Sequence, residues 1–208
     1  EDWANNWKQY FHPEKIGDRI VVKPSWEEYT PVNDEIVIEL DPGMAFGTGT
    51  HATTSMCIQL LEEYVKPGMK VFDVGTGSGI LAIAAAKLGA GEIQAADYDP
   101  VAVEVAQENI AANNEDGHIA IFQSDLLKNM TGTADVIIAN IIADIIIRMF
   151  DDVDTKLNPH GVILTSGIIA DRIPEVIEKA EQQGFVVDKM NEKAGWAAII
   201  FRRKEDMQ

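Results

Sequence analysis

Gly75, Gly77 and Gly79 alternate in Asp73-Val74-Gly75-Thr76-Gly77-Ser78-Gly79, directly after the apolar pair Val71-Phe72 and before Ile80-Leu81-Ala82. Glycines where a strand turns into a helix let backbone approach a ligand closely and aim free amides at it. A tight turn of positive φ with no ligand would use the same residues. The spacing is not the dinucleotide fingerprint G-x-G-x-x-G, because Ile80 holds the sixth position. Asp73, ahead of the turn, suits two jobs: organising its amides, or reaching a ligand's ammonium group through water.

Further along, Asp97 closes Ile93-Gln94-Ala95-Ala96-Asp97, about 20 residues past the glycines, where a carboxylate suits the paired hydroxyls of a ribose. Asp99, ahead of Pro100, suits a helix cap. Asp125, after Ser124, suits either an acceptor for an adenine amino group or a solvated loop residue. Asn140 ends Asp135-Val136-Ile137-Ile138-Ala139-Asn140, at the carboxyl end of a strand where open α/β sheets bind ligands; a helix cap is its other reading. The stretch Gly43 to Thr54 lacks the G-K-[ST] ending of a phosphate loop, and its hydroxyls, glycines and Phe46 suit a wall or lid over a small molecule. His51 pairs with no other histidine or carboxylate at metal-binding spacing and suits a helix-start hydrogen bond. No metal is expected.

These residues need a scaffold. From Lys70 to Ser166 short apolar runs alternate with stretches of helical period, the pattern of parallel strands joined by helical crossovers. Strands are predicted at Lys70–Val74, Glu92–Asp97, Ile119–Gln123, Ala134–Asn140 and Val162–Ser166, and helices at Ile80–Leu88, Pro100–Asn113 and Ile145–Leu157. A helix over Ile173–Gln183 then leads to two strands, Phe185–Met190 and Trp196–Arg202, close enough to be antiparallel. Ile20–Val22 and Ile36–Leu40 read as short strands, Thr50–Tyr64 as a helix, and residues 1–20 as a linker or N-terminal arm.

The chain has 208 residues and a net charge of −17. That field repels phosphate backbones, and no basic stripe offsets it, so direct nucleic-acid binding is not expected. Arg202-Arg203-Lys204 is the one basic run and reads as a solvated tail. Cys57 is the single cysteine and suits the core. Ala134 to Phe150 is broken by Asp135, Asn140, Asp144 and Arg148 and is too polar to span a membrane. The polar opening Glu1-Asp2-Trp3-Ala4 is unlike a signal peptide. A cytoplasmic monomer is expected.

Taken in order, these elements resemble class I methyltransferases that use S-adenosylmethionine: a doubly wound, mostly parallel seven-stranded sheet of Rossmann-like α/β class with an antiparallel C-terminal edge strand. Phe46-Gly47-Thr48-Gly49-Thr50-His51-Ala52-Thr53-Thr54, Asp73 to Gly79 and Ala139-Asn140-Ile141-Ile142-Ala143 together resemble the bacterial PrmA family, which methylates protein eleven of the large ribosomal subunit. The resemblance implies S-adenosylmethionine as cofactor, held by Thr54, Gly75, Asp97 and Asn140 with Phe46 and Thr48 nearby, and the lysine side chains or N-terminal amine of that ribosomal protein as methyl acceptor. Asp73, Gly77, Gly79 and Asp125 complete the expected cofactor set, and Asn140 is the expected catalytic residue. It implies too that residues 21–208 are the catalytic domain, without the family's small N-terminal recognition domain. Methyltransferases for another protein, a small amine or a nucleic acid share the cofactor residues, and a nicotinamide-dependent dehydrogenase would bind at the same turn.

Overall fold

The computed structural model describes residues 8–41 and 51–207. A small sheet comes first, from β1 (Glu14–Lys15), β2 (Ile20–Lys23) and β3 (Ile36–Glu39). The main body follows: α1 (His51–Tyr64), β4 (Lys70–Val74), α2 (Ile80–Lys87), β5 (Glu92–Asp97), α3 (Pro100–Ala112), β6 (Ile119–Gln123), β7 (Ala134–Asn140), α4 (Ala143–Val153), β8 (Leu157–Ile169), α5 (Ile173–Gln182), β9 (Phe185–Lys193) and β10 (Trp196–Arg203). Seven strands form one sheet in the order β6-β5-β4-β7-β8-β10-β9. Neighbours from β6 to β8 pair in parallel, and β10 is antiparallel to both β8 and β9.

Period-two alternation splits the core between the two faces. Val136 and Ile138 pack with α1, α2 and α3, whereas Ile137 and Ala139 pack with α4 and α5. Strands covered on both faces must be apolar throughout, which is why β7 reads as an almost continuous hydrophobic run. Helix α2 is buried from Ile80 through Ala85 and consists largely of alanine, whose small side chain lets it pack closely on several sides. Helix α4 buries only one stripe, Ile146, Met149, Phe150 and Val153, leaving Ile145 and Arg148 on another face.

The reversed strand corrects one expectation, since β10 lies one place in from the edge and β9 is outermost. Ala197 to Phe201 are all fully buried, but β9 carries Asp188, Lys189, Glu192 and Lys193 along a half-exposed strand. The more apolar strand takes the inner position, and the charged one blunts the edge. Two further boundaries differ. Helix α4 ends at Val153 and Leu157 already pairs with Ala134, so the strand predicted at Val162–Ser166 runs from Leu157 to Ile169. A bulge around His160 (φ 65°) interrupts it, and Arg203 donates to the carbonyls of Asp154, Leu157 and Asn158 there. Arg203 is thus a strand-end staple, with Arg202 paired to Asp188 at 2.9 Å; the pair is no solvated tail.

Two side chains fasten the small sheet to the body. The Glu62 carboxylate on α1 accepts from three consecutive amides, Asp18, Arg19 and Ile20, at 2.8, 2.7 and 3.0 Å. Asn113, at the end of α3, accepts from the Glu39 amide and donates to its carbonyl. The small sheet is therefore tied to α1 at the start of β2 and to the end of α3 at the last residue of β3.

Candidate active site

The carboxyl ends of β6, β5, β4 and β7 open onto a single cavity of about 670 Å³, within the usual range for small-molecule sites. Its lining includes Thr54, Gly75, Gly77, Asp97, Asp125 and Asn140, so six of the expected residues converge from five separate segments. Asp73 lies behind the wall, and Gly79 does not line it. Phe46 and Thr48, with the side chain of His51, lie outside the described residues.

Glycine serves different ends along the turn. Gly75, Gly77 and Gly79 all have positive φ, at 70°, 55° and 88°. A Cβ on Gly75 would sit 2.6 Å from Ile141 Cγ2, so residue 75 must be glycine for the segment after β7 to close against the turn. Gly79 faces α3 instead, where a Cβ would be 3.3 Å from that of Ala106; its smallness serves helix packing.

Asp97 is held by backbone. Its Oδ2 accepts from the Gly77 amide at 2.9 Å and its Oδ1 from the Asp99 amide at 3.0 Å. Each oxygen keeps a second lone pair, so the carboxylate can accept from two adjacent hydroxyls without moving. Asp99 caps α3, accepting from the Val101 amide at 2.9 Å, as its position ahead of Pro100 predicts.

Asp73 is 1% exposed, and its Oδ2 accepts from the Thr76 hydroxyl at 2.6 Å. Burial, with a smaller contribution from the Asp97 charge, pushes its carboxyl up to about 7, against the lowering effect of the Thr76 hydrogen bond. Two buried hydroxyls in the cavity wall, Thr54 Oγ1 and Ser78 Oγ, lack a hydrogen-bond partner in the protein. Orphaned buried groups carry a desolvation cost that a polar ligand would relieve. Cys57 is fully buried, where burial and the neighbouring Asp73 raise its thiol well above the ordinary range, so it is no nucleophile.

At the other wall, Asn140 ends β7, and Gly167 (φ 82°) on β8 brings backbone against it: a Cβ there would lie 3.0 Å from both Asn140 Oδ1 and the Ile141 carbonyl. Ile141, Ile142 and Ile145 continue this wall as an apolar surface, and Ile142 is 57% exposed at its rim. Two participants escaped the sequence. Gly167 had its signal in Thr165-Ser166-Gly167 at a strand's carboxyl end. Arg148, which lines the cavity and approaches Asp125 at 3.1 Å, lies mid-helix with no local cue. Among the described residues no cluster of three His, Cys, Asp or Glu could hold a metal ion.

Comparison with known proteins now bears on this geometry. The family model described as Ribosomal protein L11 methyltransferase (PrmA) matches residues 1–204. The chain is 58% identical over 204 residues to the ribosomal protein L11 methyltransferase of Caldanaerobacter subterraneus subsp. tengcongensis, and 54% identical to that of Clostridium perfringens strain SM101. Each match covers 98% of this chain and 65% of the relative, so the chain spans about two thirds of the length of those proteins. The crystal structure of a ribosomal protein L11 methylase from Lactobacillus delbrueckii subsp. bulgaricus superposes with a TM-score of 0.87 at 36% identity, covering 93% of this chain and all of that one. Sequence and fold agree over nearly the whole length, and the chain belongs to the ribosomal protein L11 methyltransferase (PrmA) family.

Proposed function

We propose that this chain is the catalytic part of an S-adenosylmethionine-dependent protein methyltransferase that modifies amino groups of ribosomal protein L11. One observation carries the reading: the Asp97 carboxylate, fixed by the Gly77 and Asp99 amides, faces a cavity built on the glycine turn. In this reading Asp97 accepts from the ribose hydroxyls. The base extends outward over the end of β6 toward Asp125, and the amino-acid end lies inward by Thr54 and Gly75. The orphaned hydroxyls of Thr54 and Ser78 and the buried Asp73 oxygen fit a ligand rich in polar groups, including an ammonium.

When bound, the cofactor supplies an activated methyl group on a sulfonium, so no protein nucleophile is required. The chain must hold an amine in line with that carbon, roughly 3 to 3.5 Å away, and keep water out. A lysine amine, with a pKa of about 10.4 in water, is a nucleophile only when neutral. The apolar wall of Ile141, Ile142 and Ile145 disfavours the ammonium form and releases its proton to solvent before attack. The Asn140 carbonyl orients the amine. Residues 21–208 act as the catalytic domain, and residues 1–20 as an arm whose end, Glu14 to Ile16, packs onto it. The acceptor is a protein, engaged by a monomer in the cytoplasm. The net charge of −17 supports the absence of direct nucleic-acid contact. Among the described residues no helix is long and apolar enough to cross a membrane.

The test is incubation of the chain with methyl-labelled S-adenosylmethionine and undermethylated ribosomal proteins, with S-adenosylhomocysteine binding measured in parallel. Label on L11 alone is expected. Binding with label only on another protein would replace the substrate, and no binding would overturn the reading as a whole.

A further inference from the structure

Helix α4 turns its buried stripe toward the sheet and presents Ile145 and Arg148, one turn apart, to the cavity. Arg148 is the one cationic side chain among the described residues that line it, where Asp97, Asp99 and Asp125 supply three carboxylates. It takes Asp125 specifically, with Nη1 at 3.1 Å from Oδ1 and 3.5 Å from Oδ2.

The loop bearing Asp125 is itself built to shape. Ser124 Oγ donates to the Leu126 carbonyl at 2.8 Å and accepts from the Asn129 amide at 3.0 Å, and Leu126, although not glycine, has φ 55°. A left-handed non-glycine residue is held only where its surroundings impose it, and such strain concentrates at binding sites. Between half-exposed side chains an ion pair adds little to folding stability. Its consequence here is orientation: Nη1 holds the carboxylate, which lines the cavity, through a near and a far oxygen.

We infer that Arg148 is a positioning residue that fixes Asp125 as a reader of the purine 6-position, so that the pocket accepts an adenine and rejects a 6-oxo purine. This rests on the nucleoside reading above. Adenine offers an exocyclic N–H to the carboxylate oxygen; hypoxanthine places a carbonyl oxygen there, so two acceptors would face each other. Without Arg148 the Asp125 side chain can swing into solvent, and the pocket loses its acceptor for the adenine amino group together with the penalty on the 6-oxo base.

Calorimetric titration of the full chain with S-adenosylhomocysteine and S-inosylhomocysteine tests this. Wild type should prefer the adenine compound by about tenfold or more, the discrimination expected of one charged hydrogen bond. Arg148→Met should reduce that ratio to about threefold or less, chiefly by weakening the adenine compound, whereas Arg148→Lys should retain most of it. Thermal unfolding of both variants reports folding; should Arg148→Met fail to fold, the retained charge of Arg148→Lys and the salt dependence of the wild-type ratio read the same pair. An unchanged ratio in Arg148→Met, or wild type that binds both compounds equally, would overturn the inference while leaving the nucleoside site intact. Wild type that binds neither would overturn the functional reading and this inference with it.

Discussion

Gly75 and Ile141, on the turn after β4 and the segment after β7, meet so closely that a single Cβ on residue 75 would stand 2.6 Å from Ile141 Cγ2. The two walls of the cavity, the glycine turn and the segment after β7, are therefore packed against each other at this point. Gly75→Ala should weaken S-adenosylhomocysteine binding through both this clash and the φ of 70°. Adding Ile141→Ala removes the clash but not the strained φ, so the double variant should recover part of the loss. A coupling of about 0.5 to 3 kcal/mol in the double-mutant cycle is expected, and strictly additive effects would argue that the contact is unimportant.

Asp97→Ala removes the proposed acceptor for ribose and also frees the Gly77 and Asp99 amides. The loss should be on the order of 1.5 to 3 kcal/mol in S-adenosylhomocysteine affinity, read by titration. Retention of wild-type affinity would place the ribose elsewhere.

The buried Asp73 makes stability depend on pH in the opposite sense from a salt-bridged carboxylate. Its carboxyl rises from 3.8 in the open chain to about 7 when folded, so the native state holds this proton more tightly. The contribution is complete below 3.8 and is lost as pH rises through about 7. Asp73→Asn, which has no proton to lose, should flatten the fall in unfolding free energy between pH 5 and 7 by up to about 1.4 kcal/mol per pH unit. Urea unfolding at three pH values gives the slopes; identical slopes in the two proteins would show that Asp73 ionises normally.

Phe150 on α4 meets Phe201 edge-on at 5.3 Å between centroids and Phe185 at 5.9 Å, all three fully buried. Phe150→Ala should cost about 3 to 5 kcal/mol of stability through lost burial and a cavity. Ligand affinity should hold below the new melting temperature, because this cluster lies away from the cavity lining. A drop of less than 1 kcal/mol would mean that the neighbouring side chains collapse into the space.

Much of this was legible because it is local. Continuous apolar runs marked the buried parallel strands, Asp99-Pro100 marked a helix start, and Asp97 stood at a strand end that opens onto the cavity. What escaped depends on contacts between distant segments. Arg148 acquires its partner only when α4 packs over the loop after β6, a meeting of residues 23 apart that no local pattern encodes. The left-handed φ at Leu126 sits in a loop laced by the Ser124 hydroxyl and that at His160 in a β-bulge, and neither residue type announces them. The inward place of β10 was hinted at by Ala197-Ala198-Ile199-Ile200-Phe201, but choosing which strand of a hairpin goes inside required comparing its burial with that of β9.

That inward place affects how the chain is made. Translation runs from the N-terminal side, so β8 is synthesised, and its helices can dock, while the edge that Trp196–Arg203 will occupy is still bare. A product cut short before residue 196 keeps an unpaired strand edge flanked by apolar faces, a template for aggregation and a mark for proteolysis. The order of strands thus delays closure: the sheet is sealed between β8 and β9 only once Trp196–Arg203 has left the ribosome.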